Sequence, residues 1–319
     1  MKKIYITEQV KKYPMIGLIS SNFDFVHEFS DDLDGILYIP ENCFHDLESK
    51  DGGSLENDII EFIHNAPIVG RQARLNKIQQ HIVLNSFNIK TPNTFYNEKT
   101  NKPYKTFGEI LSGTKDMDEF VIKPLNGAKG WGVELYDNLS LQKALDNSYN
   151  TSFISELESI SEKQDPMIRE EISYSQQVLR DFDFAIQEKV NIKREFRAIV
   201  TNSGFMIYER VSSSTSKNGL KKSNIQEDFD VNSLPELEEK LLVKINDTII
   251  KVQEVLNKFN YPWLSIDLYQ DEEGEIGVLE FQTEFAFKGF MNKLNELVEL
   301  LTTGLEESLE YRMKNGANI

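Results

Sequence analysis

The sequence predicts an α/β protein in which several lobes share one cleft. Short apolar runs alternate with helical patterns near the N-terminus, and two hairpins with long amphipathic segments fill the second half. The chain of 319 residues is long enough for two or three small lobes. Its apolar content of 39% is ordinary for a folded protein, so disorder is not expected.

The charge balance and the cysteine usage exclude several classes of protein. The formal net charge of −17 repels phosphate backbones and no basic stripe offsets it, so we expect no nucleic-acid partner. Cys43 is the only cysteine, which excludes an intrachain disulfide and favours a reducing compartment. Neither a signal peptide nor a membrane span is apparent. We therefore expect a cytoplasmic protein without a membrane partner, and a homo-oligomer is left open.

The first two predicted lobes cover residues 1–90 and 91–190. In the first, an open α/β unit, strand patterns lie at 15–20, 35–40 and 66–70, and helical patterns lie at 55–65 and 72–87. The apolar positions of the last helix include Ala73, Ile78, Ile82 and Phe87. The second lobe, which is α+β, has strand patterns at 120–124, 131–137 and 184–190 and a helix near 139–147.

The third predicted lobe, residues 191–319, is also α+β. It begins with a hairpin at 195–211 that turns at Asn202–Gly204, and a polar loop at 212–224 follows that we expect to be mobile. A helix at 236–259 places Leu241, Ile245, Ile249, Val252 and Leu256 on one face. A second hairpin at 263–282 and a helix from about 290 complete the lobe.

The second hairpin, WLSIDLYQ–DEEG–EIGVLEFQ, carries the strongest chemical signal. Alternation puts Val278, Glu280 and Gln282 on one face of its return strand. A two-residue turn at Glu273–Gly274 would set Asp267 opposite Glu280, with β-carbons about 5 Å apart. Two carboxylates and an amide oxygen form a hard-cation site that suits magnesium. An acidic, solvent-exposed hairpin face is the alternative.

Two further segments suggest nucleotide binding. VIKPLNGAKGWGV at 121–133 places Lys123 at a strand end, before glycines that would let backbone amides approach phosphate oxygens. It is neither a Walker loop nor a Rossmann fingerprint, and a plain β-turn is the alternative. In QEKVNIKREFRAIV at 187–200, Glu188 and Glu195 could accept hydrogen bonds from adenine and ribose, although ordinary surface charge explains this segment better when it is taken alone.

In this order, the three motifs resemble the ATP-grasp superfamily over roughly residues 65–290. The glutamates and the final triplet are spaced as in D-alanine–D-alanine ligase, whereas the glycine loop is more similar to ribosomal-protein glutamate ligases and glutathione synthetases. The resemblance implies an ATP-grasp fold, with an N-terminal open α/β lobe and two α+β lobes clasping ATP. It implies that ATP is bound by Lys77, Lys123, Gly127, Lys129, Gly130, Gly132, Glu188, Val190 and Glu195, and two Mg²⁺ (or Mn²⁺) ions by Asp267, Glu280 and Gln282.

The implied reaction joins a carboxylate to an amine through an acylphosphate. Ser265 stands where such ligases often carry an arginine, so Arg210 or Arg197 on the neighbouring hairpin is the candidate for stabilising the oxyanion. Gln282 stands where asparagine is usual and keeps an amide oxygen on a longer arm. The main prediction is a ligase acting on a small molecule or an amino acid.

Two alternatives remain open at the level of sequence. The first is a ligase that modifies a peptide or a protein, for which Lys217, Lys221 and Lys222 of the polar loop could hold an acidic peptide. The second is a nucleotide-binding module without turnover, motivated by Ser265 and Gln282.

Overall fold

The computed structural model describes residues 1–6, 10–28, 30, 32–37, 68–69, 75–96, 113–114, 119–125, 134–137, 184–210, 239–283, 285 and 287–315. Within these ranges, strands form three four-stranded sheets with helices beside them, which confirms the predicted α/β class. Several predicted features lie outside these ranges: the helices at 55–65 and 139–147, the loop at 212–224, and Gly127, Lys129, Gly130 and Gly132. None of the described helices is long and apolar enough to cross a bilayer.

The N-terminal sheet is parallel, as an open α/β lobe requires. Its strands are β1 (Lys2–Tyr5), β2 (Phe23–Val26), β3 (Gly35–Leu37) and β4 (Ile68–Val69), in the order β2-β1-β3-β4. Strands β3 and β4 lie within segments predicted to be strands. Strands β1 and β2 were not predicted, because their apolar runs are short.

Helix α1 (Pro14–Ile19) corrects the strand predicted at 15–20. Proline suits the first turn of a helix, where its missing N–H has no partner to lose. Met15, Ile16 and Ile19 are buried at helical spacing, whereas Gly17 is exposed. An apolar run of this length is compatible with either a strand or a helix, so periodicity alone could not decide.

Helix α2 (Lys77–Ser86) begins at a capping box. The Asn76 side chain accepts a hydrogen bond from the Gln79 N–H, and the Gln79 side chain accepts one from the Asn76 N–H. The buried positions of the helix are Ile78, His81 and Leu84. Ile82, one of the predicted apolar positions, lies off this face and is 48% exposed.

The central sheet is antiparallel and confirms the strands predicted for the second lobe. It contains β5 (Thr94–Phe95), β6 (Phe120–Pro124), β7 (Glu134–Tyr136) and β8 (Phe184–Glu188), in the order β5-β8-β6-β7. The end of β6 is joined to α2, because the Lys77 N–H donates to the Leu125 carbonyl oxygen at 3.3 Å.

The C-terminal sheet contains both predicted hairpins. Its strands are β9 (Ile192–Val200), β10 (Phe205–Arg210), β11 (Leu264–Asp271) and β12 (Ile276–Gln282), in the order β10-β9-β11-β12. Helix α3 (Glu239–Phe259) covers one face, and its predicted apolar residues are all buried there. Helix α4 (Leu294–Asn315) follows a 3₁₀ segment at Lys288–Lys293.

The opposite face of the C-terminal sheet is partly covered by the N-terminal lobe. Leu297, Leu301, Leu305 and Leu309 of α4 share one apolar core with β1, α1 and β4. Ile199, Tyr208 and Trp263 belong to the same core, which closes one end of this face. The remaining part faces the central sheet, and the candidate site lies there.

Candidate active site

The predicted pairing of Asp267 with Glu280 is present, but two irregularities produce it. The turn has three residues, 272–274, rather than two, and Gly274 adopts φ +80° at its end. A β-bulge at Leu279 then shifts the register by one residue. As a result Val278 is buried against α3 and does not share a face with Glu280, which corrects the simple alternation.

Strand pairing assembles rows of polar side chains on the face turned away from α3, which we call the site face. One row runs Tyr208, Arg197, Asp267 and Glu280 across β10, β9, β11 and β12. The next row contains Arg210, Glu195 and Tyr269, and Ser265 pairs with Gln282 on the other side. The apolar residues between these positions, such as Phe196 and Ile266, point toward α3.

Arg197 and Arg210 both bind Asp267. Arg197 forms a bidentate pair, with Nε 2.7 Å from Asp267 Oδ1 and Nη2 2.9 Å from Oδ2. Arg210 Nη1 lies 3.0 Å from the same Oδ2 and 2.6 Å from Glu195 Oε1. The predicted catalytic arginines, one predicted metal ligand and one predicted ribose ligand therefore form a single ionic cluster.

The charges of this cluster are set by the balance between burial and pairing. Burial alone would raise the pKa of Asp267, but Arg197 and Arg210 outweigh it, so the pKa is lowered and the carboxylate stays ionised. Burial and the neighbouring Asp267 raise the pKa of Glu195, although Arg210 opposes them. Burial would lower the pKa of Arg210, but Asp267 more than offsets it and the guanidinium stays charged.

Helix α2 brings a third cation, Lys77, to the Glu280 carboxylate. Lys77 Nζ lies 3.5 Å from Glu280 Oε2, and the Gln282 amide donates to Glu280 Oε1 at 3.1 Å. One turn along α2, Gln80 Oε1 accepts a hydrogen bond from the Phe281 N–H at 3.1 Å. Because Phe281 stands between Glu280 and Gln282, this bond fixes the strand segment that presents both side chains.

Lys123 reaches the same cluster from the central sheet. Burial, the largest cause, lowers its pKa to about 8, and the positive charge of Lys77 acts in the same direction. Glu280, Glu195 and Asp267 oppose the shift. Since all of these charges act on one ammonium group, Lys123 lies beside the site face, where the sequence predicted a phosphate contact.

Glu188 and Val190 lie at the connection between β8 and β9, outside the ionic cluster. The Glu188 carboxylate accepts hydrogen bonds from the Asn93 N–H at 3.1 Å and from Asn93 Nδ2 at 2.8 Å. Its charge also contributes to the raised pKa of Tyr269, which burial mainly causes, so Glu188 borders the site. Val190, which lies in the connection between β8 of the central sheet and β9 of the C-terminal sheet, is half-buried.

Tyr208 and Gln80 belong to the site but were not predicted. Tyr208 is buried beside Phe290, with ring centroids 4.8 Å apart, and its hydroxyl is hydrogen-bonded to Arg210. Its spacing of two residues from Arg210 places both on one face and could have identified it. Gln80 follows Lys77 by three residues, a helical spacing that also could have identified it.

The predicted metal ligands fit magnesium through their donor chemistry. Asp267 and Glu280 supply carboxylate oxygens and Gln282 an amide oxygen, all on the site face. Among the residues that the structure describes, Asp267 Oδ1 accepts one hydrogen bond, which leaves it a second acceptor position. Across the described ranges, no three His, Cys, Asp or Glu side chains cluster as a metal site, so the third ligand would be the Gln282 amide.

Comparison with known proteins identifies the fold. No protein-family model and no curated protein matches the chain at the level of sequence. Among solved structures, a Chryseobacterium gregarium RiPP-associated ATP-grasp ligase, in complex with ADP and a leader and core peptide, has 14% identity and a TM-score of 0.56 over 96% of this chain and 97% of that one. The chain has the ATP-grasp fold.

Other ATP-grasp structures agree over nearly the whole chain. D-alanine–D-alanine ligase from Bacillus anthracis has 17% identity and a TM-score of 0.56, covering 99% of this chain and 100% of that one. D-cycloserine synthetase has 11% identity and a TM-score of 0.57, covering 97% and 100%. At identities this low, the structural similarity establishes the ATP-grasp fold alone, and the reaction has to be argued from the site.

Proposed function

We propose that this chain is an ATP-dependent carboxylate–amine ligase that forms an amide through an acylphosphate. The observation that carries the proposal is the site face of an ATP-grasp fold on which four basic side chains meet three carboxylates. Such a mixture suits a polyphosphate held together with divalent cations. Ligases and synthetases among the structural neighbours support it.

The roles follow from position. Lys77 and Lys123 would neutralise phosphate charge, and the predicted glycine loop would cover the phosphates. Asp267, Glu280 and Gln282 would hold Mg²⁺, which when bound offsets the charge of the transferring phosphoryl group. Glu188, Val190 and Glu195 stay predicted contacts of the nucleoside. Arg210 has a buried Nε–H without a partner among the described residues, which is a donor suited to an oxyanion.

The proposed chemistry has two steps. A carboxylate oxygen of the substrate forms a bond to the γ-phosphorus while the bond to the ADP oxygen breaks. An amine nitrogen then bonds to the acyl carbon, phosphate leaves, and the nitrogen loses a proton. The side chains of the site act by positioning and charge neutralisation, because phosphoryl transfer needs little covalent help from the protein.

The test is ADP release from the full-length chain with Mg²⁺ and ATP, screened against amino acids and peptides. A ligase should release ADP only when both substrates are present, and ¹⁸O from the substrate carboxylate should appear in the phosphate. Binding of ATP without substrate-dependent ADP release would support a nucleotide-binding module instead. Because the chain has a single cysteine, we also propose that it acts in a reducing compartment such as the cytoplasm.

A peptide or protein substrate is the second candidate. The structure of the similar RiPP-associated ligase contains a leader and core peptide, and its match extends over 96% of this chain, beside 97% and 99% for the small-molecule ligases. The same screen separates the candidates, because peptides would then stimulate ADP release and single amino acids would not.

A further inference from the structure

We propose that Arg210 competes with a divalent metal for Asp267, so that tight metal binding requires the nucleotide to draw Arg210 away. The proposal rests on the proposed function, since it concerns the same site. It predicts how the binding of metal and nucleotide is coupled.

The negative charge of Asp267 is already balanced by the two arginines without any metal. It is 7% exposed and accepts three hydrogen bonds from two guanidinium groups, one at Oδ1 and two at Oδ2. A divalent cation that approaches this carboxylate meets two fixed positive charges at hydrogen-bond distance. Such repulsion is strong in a buried site, where water screens it little. Asp267 is therefore a poor metal ligand while both arginines remain in place.

Arg210, rather than Arg197, is the arginine that can leave. Arg197 holds Asp267 through two bonds in a bidentate pair, whereas Arg210 makes one bond of 3.0 Å and shares the same nitrogen with Glu195. Within the described part of the chain, Arg210 Nε is buried without a hydrogen-bond partner. An oxyanion that satisfied more of its donors would be a better partner than Asp267.

Phosphate oxygens of the nucleotide provide such an oxyanion. When Arg210 turns to them, Asp267 keeps its two hydrogen bonds to Arg197 and gains an acceptor position on Oδ2. Metal and nucleotide then favour each other's binding through Arg210, in addition to any direct contact between them. Because coupling of this kind is reciprocal, removing Arg210 should change both affinities.

The test is a titration of the full-length chain with Mn²⁺ alone, with free Mn²⁺ measured by electron paramagnetic resonance. Arg210→Gln should bind Mn²⁺ about tenfold more tightly than the unmodified chain, as expected for removal of a charged hydrogen bond that competes for the ligand. Arg210→Met is the second variant in case glutamine disturbs the fold. The expected gain is the same, because neither side chain carries a charge.

Two control variants separate competition from general charge. Arg194→Gln removes an arginine of the adjacent strand β9 that pairs with Glu209 on the opposite face of the sheet, and it should leave Mn²⁺ affinity unchanged. Lys123→Met removes a nearby positive charge that acts on Asp267 without a hydrogen bond to it. Its gain measures the pure charge effect and should be smaller than that of Arg210→Gln.

If the Arg210 variants gain no more Mn²⁺ affinity than Lys123→Met, direct competition is refuted.

The unmodified chain offers a second test, a crystal structure with Mg²⁺ and a non-hydrolysable ATP analogue. Arg210 should contact a phosphate oxygen there, and a metal on Asp267 with Arg210 still hydrogen-bonded to it would overturn the proposal. Calorimetry of the unmodified chain with the analogue separates a failure of the proposed function from a failure of this inference. Failure to bind it refutes the proposed function, whereas normal binding with unchanged Mn²⁺ affinity in Arg210→Gln refutes only this inference.

Discussion

Replacing Lys123 with methionine should stabilise the fold. Burial and Lys77 lower the pKa of Lys123 to about 8, against 10.5 for an ordinary lysine. The folded state therefore disfavours the charged form, and each pKa unit corresponds to about 1.4 kcal/mol. The whole shift amounts to about 3 kcal/mol, which solvent around the half-buried side chain reduces to about 1–2 kcal/mol. Methionine keeps the apolar length without the charge.

The gain in stability should depend on pH. Well below pH 8, Lys123 is charged in the folded and in the unfolded chain, so the penalty on the folded state is complete. From about pH 8 to 10.5 the folded state loses the proton first, and the penalty shrinks. The free energy of unfolding of Lys123→Met should therefore exceed that of the unmodified chain most at pH 7 and least near pH 10.

Urea unfolding at pH 7, 8.5 and 10 measures this difference. Lys193→Met, at an exposed position on β9, is the control and should change stability little at any of these pH values. The reasoning is refuted if Lys123→Met is no more stable than the unmodified chain at pH 7, or if its advantage is the same at pH 10. The variant should also lose ADP release, because it brings no charge to the phosphates.

Three further predictions concern the metal ligands and the packing of α4. Glu280→Ala should abolish ADP release at an unchanged melting temperature, and full activity would remove it from the site. Gln282→Asn should keep most ADP release and Gln282→Ala should lose it, whereas equal activity in both would mean that no amide oxygen binds the metal. Gly304→Ala should destabilise by about 1–3 kcal/mol in thermal unfolding, because its Cβ would lie 2.9 Å from the Pro262 carbonyl oxygen. Gly17→Ala, with nothing within 4 Å, should instead stabilise α1 by up to about 1 kcal/mol, and a similar loss in both would contradict this explanation.

The sequence was sufficient for the long regular elements of the two C-terminal lobes. Alternation in β11 and helical spacing in α3 are strong signals, because one face of each element is buried against the other. The short apolar run of α1 was assigned to the wrong class, since six residues carry too little periodicity. The register of the second hairpin was predicted correctly for the wrong reason. The three-residue turn and the bulge at Leu279 each shift it by one residue and cancel.

The ionic contacts of the site could not be predicted from spacing. Asp267 and Glu280 were predicted to lie opposite each other on one face of the hairpin, and they do. Arg197 and Arg210 share Asp267 because strands β9, β10 and β11 pair in one sheet. More than fifty residues separate β11 from the other two strands along the chain. Glu195 stays a predicted nucleoside contact, and its hydrogen bond to Arg210 arises because the two residues pair directly across β9 and β10.

The segment 75–96 also shields the C-terminal sheet from other molecules. Strand β12 is the outer strand of that sheet, and two of its backbone N–H groups are taken up from this segment: Val278 donates to the Lys90 carbonyl oxygen at 2.8 Å and Phe281 to Gln80. An uncovered outer strand invites edge-to-edge aggregation. A recombinant fragment beginning at β9 would lose this cover and self-associate, so a soluble C-terminal fragment has to retain α2 and the chain that follows it.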